Sequence, residues 1–262
     1  MRNWVLILGA SSGFGAATAR AFAEDGFHIL GVHLDRASTM DGIKKLIDEI
    51  KAKGVEAKFF NVNAADGEKR KSVLDEVEDF FIKGEDNIKC LMHSLAFGTL
   101  KPYLSNDSKD DLTQKQLEMT IDVMGNSIVY WSQDIVRRGL MGKGGKIFGM
   151  TSSGGHRVIP GYGAVSAAKA VLESHCRQLA MELGRFGISA SPIQAGVTDT
   201  PAMRKIPNAN LIVEDALRRN PAHRLTTPED VAEIIVSITK QKGTWMNGNM
   251  IYADGGENIV EL

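Results

Sequence analysis

The chain is short of the features that mark several protein classes. Only two cysteines occur in 262 residues, Cys90 and Cys176, each in an apolar stretch and far from the other. That is too few for a disulfide framework and lacks the close ligand spacing of a zinc site, so reduced cytosolic thiols are expected. Charge of one sign is not in excess either, since 31 Lys and Arg against 32 Asp and Glu leave a formal charge of −1. A basic footprint for nucleic acid or an anionic membrane is therefore not expected, and a small molecule is the expected partner. Apolar runs stay well short of the roughly 18 residues that a membrane helix needs. Val5–Leu8 is too brief for a secretion signal and is followed by Gly9 rather than a cleavage site, which gives a cytoplasmic expectation.

What is present suits a substantial packed core: 43% of residues are hydrophobic and 24% charged. Short β-rich runs at Trp4–Leu8, Phe27–His33, Ala57–Asn61, Cys90–Ser94, Lys146–Met150, Ile188–Ile193 and Met250–Ala253 alternate with helical patterns. Those patterns span Ala16–Asp25, Ile43–Lys53, Lys69–Phe81, Leu112–Arg138, Tyr162–Arg185 and Glu229–Thr239. In the second helix, for example, Ile43, Leu46, Ile47 and Ile50 form one stripe, with Lys44, Lys45, Asp48 and Glu49 left to solvent. Such alternation predicts a single α/β domain over 1–262, a Rossmann-type, doubly wound parallel sheet of about seven strands. No linker or repeat interrupts it. Pro201–Arg224 departs from the pattern, carrying Pro201, Pro207 and Pro221, and is expected to be a substrate-binding loop at the carboxyl end of a strand. There Met203, Leu211, Ile212 and Leu217 either line an apolar ligand pocket or simply pack the loop.

Gly9, Ala10, Ser11, Ser12, Gly13, Phe14 and Gly15 join the first strand to the first helix. Glycines let the backbone turn tightly and approach a pyrophosphate, whose charge is favoured by free N–H groups at a helix N-terminus. The Gly-x-x-x-Gly-x-Gly spacing resembles that of the short-chain dehydrogenase/reductase superfamily. Further residues resemble it over nearly the full length: His93–Phe97 after the fourth strand, Ala195–Thr200 after the sixth and Asp254–Gly256 after the last. The resemblance implies that Asn63 and Ala64 flank an adenine, that Ser94, Leu95 and Ala96 lie on the ribose and nicotinamide side, and that Gly196, Val197, Thr198 and Thr200 face the nicotinamide carboxamide. His33 stands where the family carries its NAD-selecting acid. With Arg36 as a candidate partner for a 2′-phosphate, the cofactor is expected to be NAD(P)H with a lean to NADPH; a solvated Asp35–Arg36 pair is the other reading.

Tyr162 and Lys169 are seven residues apart on one predicted helix. They differ by about 20° in direction and roughly 10 Å along the axis, so they share a face. The commoner reductases of the superfamily set this pair four apart, a position held here by Val165. The wider spacing resembles enoyl-acyl-carrier-protein reductases, and with it comes an expected substrate, a trans-2-enoyl thioester on acyl carrier protein. In that resemblance Tyr162 donates to the thioester oxygen and Lys169 holds the nicotinamide ribose. Ser152 stands where familiar bacterial enoyl reductases carry another tyrosine and carbonyl reductases their catalytic serine; it either donates to the substrate or only shapes a turn. An NADPH-dependent branch with serine at this position is similar, including its Asn220–Arg224 stretch. Met124 stands where most carbonyl reductases carry a relay asparagine, with Asn126 nearby. His93 and His156 lack metal-ligand companions, so no metal is expected and His93 is read as structural. Two other readings remain: a carbonyl reductase, and a dinucleotide-binding regulator without catalysis. The resemblance also suggests a homotetramer built through the two long helices.

Overall fold

A computed structural model describes residues 2–261. Strands β1 (Arg2–Leu8), β2 (His28–His33), β3 (Ala57–Asn61), β4 (Asp86–His93), β5 (Lys146–Ser152), β6 (Ser189–Ala195) and β7 (Ile251–Ala253) form one sheet of order β3-β2-β1-β4-β5-β6-β7. Every neighbouring pair is parallel. Each crossover therefore carries a helix: α1 (Gly13–Glu24), α2 (Met40–Lys51), α3 (Gly67–Phe80), α4 (Gln114–Ile121) with α5 (Ser127–Arg137), α6 (Gly163–Leu183), and α7 (Ala209–Arg219) with α8 (Pro228–Lys240). The seven expected strands are all present, with ends shifted by a few residues.

Alternation of side chains along the buried strands divides the core in two. Leu6, Leu8, Leu30, Leu91 and Ile147 point to the face covered by Leu74, Ile128, Trp131 and Leu172. Val5, Ile7, Ile29, Met92, Phe148 and Ile193 point to the other, against Phe22, Leu46 and Ile235. Helix starts follow from local chemistry. Asp66 accepts from Lys69 N–H at 3.0 Å, while Thr113 with Gln116 and Thr227 with Asp230 form capping boxes.

The helix expected as one piece over Leu112–Arg138 is broken in character by a π-turn at Asp122–Asn126. At that widened turn Ser127 Oγ donates back to Val123 O at 2.7 Å. Gly125 meets α6 so closely that a Cβ would stand 3.0 Å from Val171 Cγ1 and 3.1 Å from the Ala168 carbonyl. An apolar periodicity read at 3.6 residues per turn does not register one extra residue in a single turn, so the pattern looked continuous.

The sheet reverses direction of winding at β1 and β4, and ligands of such folds bind beyond the carboxyl ends of the strands at that point. Leu8, His93, Ser152 and Ala195 end β1, β4, β5 and β6 there. Trp131 ties the α5 layer to that edge by donating its indole N–H to Ala64 O at 2.8 Å. It is fully buried, so Trp131→Ala should lower stability by about 3–5 kcal/mol, read by denaturant titration.

Candidate active site

The turn after β1 is a backbone cradle. Gly9 (φ +90°) and Gly13 (φ +50°) adopt left-handed geometry that an L side chain resists. A Cβ on Gly15 would collide with the Gly9 carbonyl, and one on Gly9 with the Ser94 carbonyl. The turn is thus pressed onto the end of β4. On its far side a Cβ at Gly13 would stand 3.4 Å from Thr200 Cγ2. Ser12 at the N-cap of α1 makes no side-chain cap, and no acidic residue lies in the first turn. Positive amide ends of α1 therefore face outward beside a surface too close for any side chain, which is the fit a pyrophosphate requires. Ser11 and Phe14 are half-buried and Ser12 exposed around it.

At the end of β2, His33 is buried, packs near the Phe59 ring, and bonds through Nδ1 to Asp35 Oδ2 at 3.1 Å. Burial lowers its pKa, opposed by the Asp35 carboxylate. Asp35 also accepts from Thr39 Oγ1 at 3.3 Å. Arg36 is exposed and forms no ion pair among the described residues. Asn63 accepts the Ala65 N–H at 3.0 Å, turning the chain at the next strand end, and Ala64 is buried beneath it.

The chemical centre is dominated by burial. Tyr162 occupies the N-cap position of α6, just outside the helix expected to begin with it, and is 8% exposed. Its hydroxyl pKa is raised by burial and lowered by the neighbouring Ser152 hydroxyl. Ser152 ends β5 and caps nothing; its Oγ is buried with no hydrogen-bond partner. A helix-capping role is thereby ruled out. Lys169, on α6, donates from Nζ to Met150 O at 2.6 Å. Burial pulls its pKa down to about 8, with Glu173 opposing. His93 is fully buried; its Nε2 bonds Ser127 Oγ at 2.8 Å and its Nδ1 has no partner. Since Ser127 gives its proton to Val123 O, His93 carries its own on Nε2. Burial, and then the charge of Lys169, push its pKa to about 3, so it stays neutral at working pH.

Val165 and Met124 are buried against Tyr162 in one apolar cluster with Val123 and Ala168. Asn126 turns away, its Oδ1 facing His175 Nε2 at 3.1 Å. The same cluster is flanked by Leu100, Met119, Ile159 and Ile206. Of Met203, Leu211, Ile212 and Leu217, which either line a pocket or pack the loop, Leu211 and Leu217 are exposed and Met203 and Ile212 half-buried, while Ile206, not singled out by sequence, packs against the cluster that holds Tyr162.

Residues after β6 are held from behind. Thr198 and Thr200 are buried, and Thr198 Oγ1 donates to Gly196 O at 3.0 Å. Val197 N–H donates to Glu257 Oε2 at 2.9 Å and Val197 O accepts from Thr226 N–H at 3.1 Å. Glu257 and Thr226 carried no recognisable spacing in the sequence. Only the neighbouring Asp254–Gly256 pointed to this corner. Among the described residues no cluster of His, Cys, Asp and Glu could hold a metal ion, and no helix is long and apolar enough to cross a membrane.

A parallel sheet reversing at β1, a glycine cradle at that reversal, a serine ending β5, and a buried tyrosine and lysine at α6 define, with the family match, a short-chain dehydrogenase/reductase, and so an oxidoreductase. The chain belongs to the enoyl-(acyl carrier protein) reductase family, whose model matches residues 9–258. It is 28% identical over 259 residues to an NADPH-dependent aldehyde reductase-like chloroplastic protein of Arabidopsis thaliana, covering 96% of this chain and 92% of that one. A 30% identity over 171 residues relates it to the NADH-dependent enoyl-[acyl-carrier-protein] reductase of Buchnera aphidicola, covering 65% of each chain. Its fold matches the Bacillus cereus enoyl-acyl carrier protein reductase, solved with NADP+ and an indole naphthyridinone, at a TM-score of 0.85 and 22% identity over 100% of this chain and 98% of that one.

The Lys169 shift carries a sign that stability can read. Its folded pKa of about 8 lies below the ordinary lysine value of 10.5, so the unfolded chain binds the extra proton between them and stability should rise with pH across that window. Below pH 8 the full cost of the buried ammonium remains. The stability difference between wild type and Lys169→Met should therefore drift in favour of wild type from pH 8 to 10.5, measured by denaturant melts without cofactor; a flat difference would contradict a buried, depressed lysine.

Proposed function

We propose that the chain reduces trans-2-enoyl thioesters carried on acyl carrier protein, using NADPH in preference to NADH. One observation carries this reading: the Tyr162 hydroxyl lies beside the buried Ser152 Oγ, while the helix position one turn on is filled by buried Val165. The family match over residues 9–258 supports it.

The glycine cradle, Asn63, Ser94–Ala96 and Gly196–Thr200 would hold the dinucleotide, with Lys169 toward its nicotinamide ribose. When bound, the reduced nicotinamide supplies a hydride to the β-carbon of the enoyl group. Negative charge then builds on the thioester carbonyl oxygen. Tyr162, kept protonated by burial, donates a hydrogen bond to that oxygen, and the neighbouring Ser152 Oγ–H supplies a second. Two donors aimed at developing charge stabilise the transition state more than the neutral ground state. The Lys169 ammonium adds a fixed positive charge in a dry site, where its field is weakly screened. His93, neutral and facing Ser127, takes no part in proton transfer. Val123, Met124 and Ile206 form an apolar wall for the acyl chain beside the hydroxyl pair. Arg36 is free to meet a 2′-phosphate because Asp35 is engaged with His33 and Thr39.

A second reading, reduction of a carbonyl, draws on Ser152 and on the aldehyde reductase-like relative. Met124 at the relay position, buried and without a polar atom to pass a proton, speaks against it. Crotonyl and 3-oxobutanoyl thioesters offered with NADPH separate the two. Crotonyl turnover is expected; rapid turnover of the 3-oxo substrate alone overturns the proposal. Tyr162→Phe should lower kcat about 10²–10³-fold, the usual cost of one oxyanion donor, with NADPH affinity within twofold or so. Ser152→Ala should fall by about tenfold or more on the same scale.

A further inference from the structure

Glu257 lies beyond the last strand and outside the hydroxyl pair, yet it is 4% exposed and both of its carboxylate oxygens are used. Oε2 accepts the Val197 N–H at 2.9 Å, inside the loop that follows β6. Oε1 faces the Arg219 guanidinium at 3.6 Å. Arg219 is the last residue of α7; it also donates from Nη1 to the Glu257 carbonyl at 3.0 Å and from Nε to Asp215 Oδ2 at 2.7 Å. The next residue, Asn220, is buried and donates from Nδ2 to Asp254 O at 3.1 Å. Thr226, where the 201–224 segment rejoins the body, packs so tightly on Gly196 that a Cβ there would collide with its hydroxyl. The other charged groups of this corner are Asp254, whose carboxylate is satisfied by the Gly256 and Asn258 amides, and Arg157, which donates to Asn258 Oδ1 at 3.2 Å.

One carboxylate thus joins the exit of α7 to the backbone of the loop beside the cradle. Side-chain exposures of 5% for Glu257 and 11% for Arg219 put their ion pair out of water. Pairs of this kind contribute little net stability, but loss of Arg219 would leave the Glu257 carboxylate buried without its counter-charge, whereas Arg219 would still hold Asp215 if the Glu257 charge were lost. We propose that Glu257 is a positioning residue that couples α7 to Gly196–Thr200, so that a ligand seated against either segment alters the other. This rests on the reading of Gly196–Thr200 as the nicotinamide side of the site and of 201–224 as the substrate loop.

Hydrogen exchange on the full chain, with and without saturating NADPH, tests the coupling directly. In wild type, NADPH should slow exchange over Gly9–Gly15 and also over α7. Glu257→Gln keeps an oxygen for the Val197 N–H and removes the charge opposite Arg219; slowing should persist over Gly9–Gly15 and disappear over α7. The same variant should raise KM for the acyl thioester at least about fivefold, the low end of couplings between sites, with kcat within about twofold. Arg219→Gln removes the pair from the other side and should give the same loss, which keeps the test decisive if Glu257→Gln does not fold. An α7 response that is absent in wild type, or unchanged in the variant that folds, overturns the proposal. Failure of wild type to reduce crotonyl thioesters overturns the enoyl reading instead, and the exchange result stands apart from it.

Discussion

The contact between the Gly9 carbonyl and the Cα of Gly15, with Gly9 itself set on the Ser94 carbonyl, fixes where everything else in the site must lie. It holds the start of α1 within backbone distance of the ends of β1 and β4. A side chain at either glycine would lift the helix off the sheet and with it the amides that face outward. Thr200, against Gly13, brings the segment after β6 to the same place. Two more groups are fixed by β5: Ser152 ends it, and its Met150 carbonyl accepts from the Lys169 ammonium on α6.

Once those backbones converge, electrostatics follows from dryness. Lys169, Tyr162 and His93 are all buried, and in each case desolvation disfavours the charged form. Tyrosine keeps its proton, histidine stays neutral, and lysine is the group's remaining candidate cation, its pKa drawn down to about 8 by burial although Glu173 opposes the shift. The division of roles arises from a shared environment acting on groups of different chemistry.

Much of this was legible in the sequence because it is local. The glycine turn declares itself by spacing after a strand; Tyr162 and Lys169 are expected on one helix, whereas the Tyr162 backbone stands just outside α6 at its N-cap. The sheet is written in alternating strand and helix periods. Three features escaped. The π-turn at Asp122–Asn126 inserts a residue without changing the polarity pattern. Glu257 and Ile206 act across long separations, and a lone acid or an isoleucine in a proline-bearing loop has no period to give it away. Ser152 reads as either a turn residue or a donor because both use the same hydroxyl, and it makes no side-chain cap to the short turn that follows it.

The π-turn carries one more implication, for the history of the chain. Each residue of an α-helix turns the next by about 100°, so deleting one residue between Asp122 and Asn126 would restore even pitch and swing one helical arm by that angle. Ser127 would then leave His93, Trp131 would leave Ala64, and Gly125 would no longer face Ala168. Insertions and deletions here are thus barred by rotation rather than by length, while the exposed Gly84 and Gly139 connections, with nothing within 4 Å of a Cβ, are free of that bar.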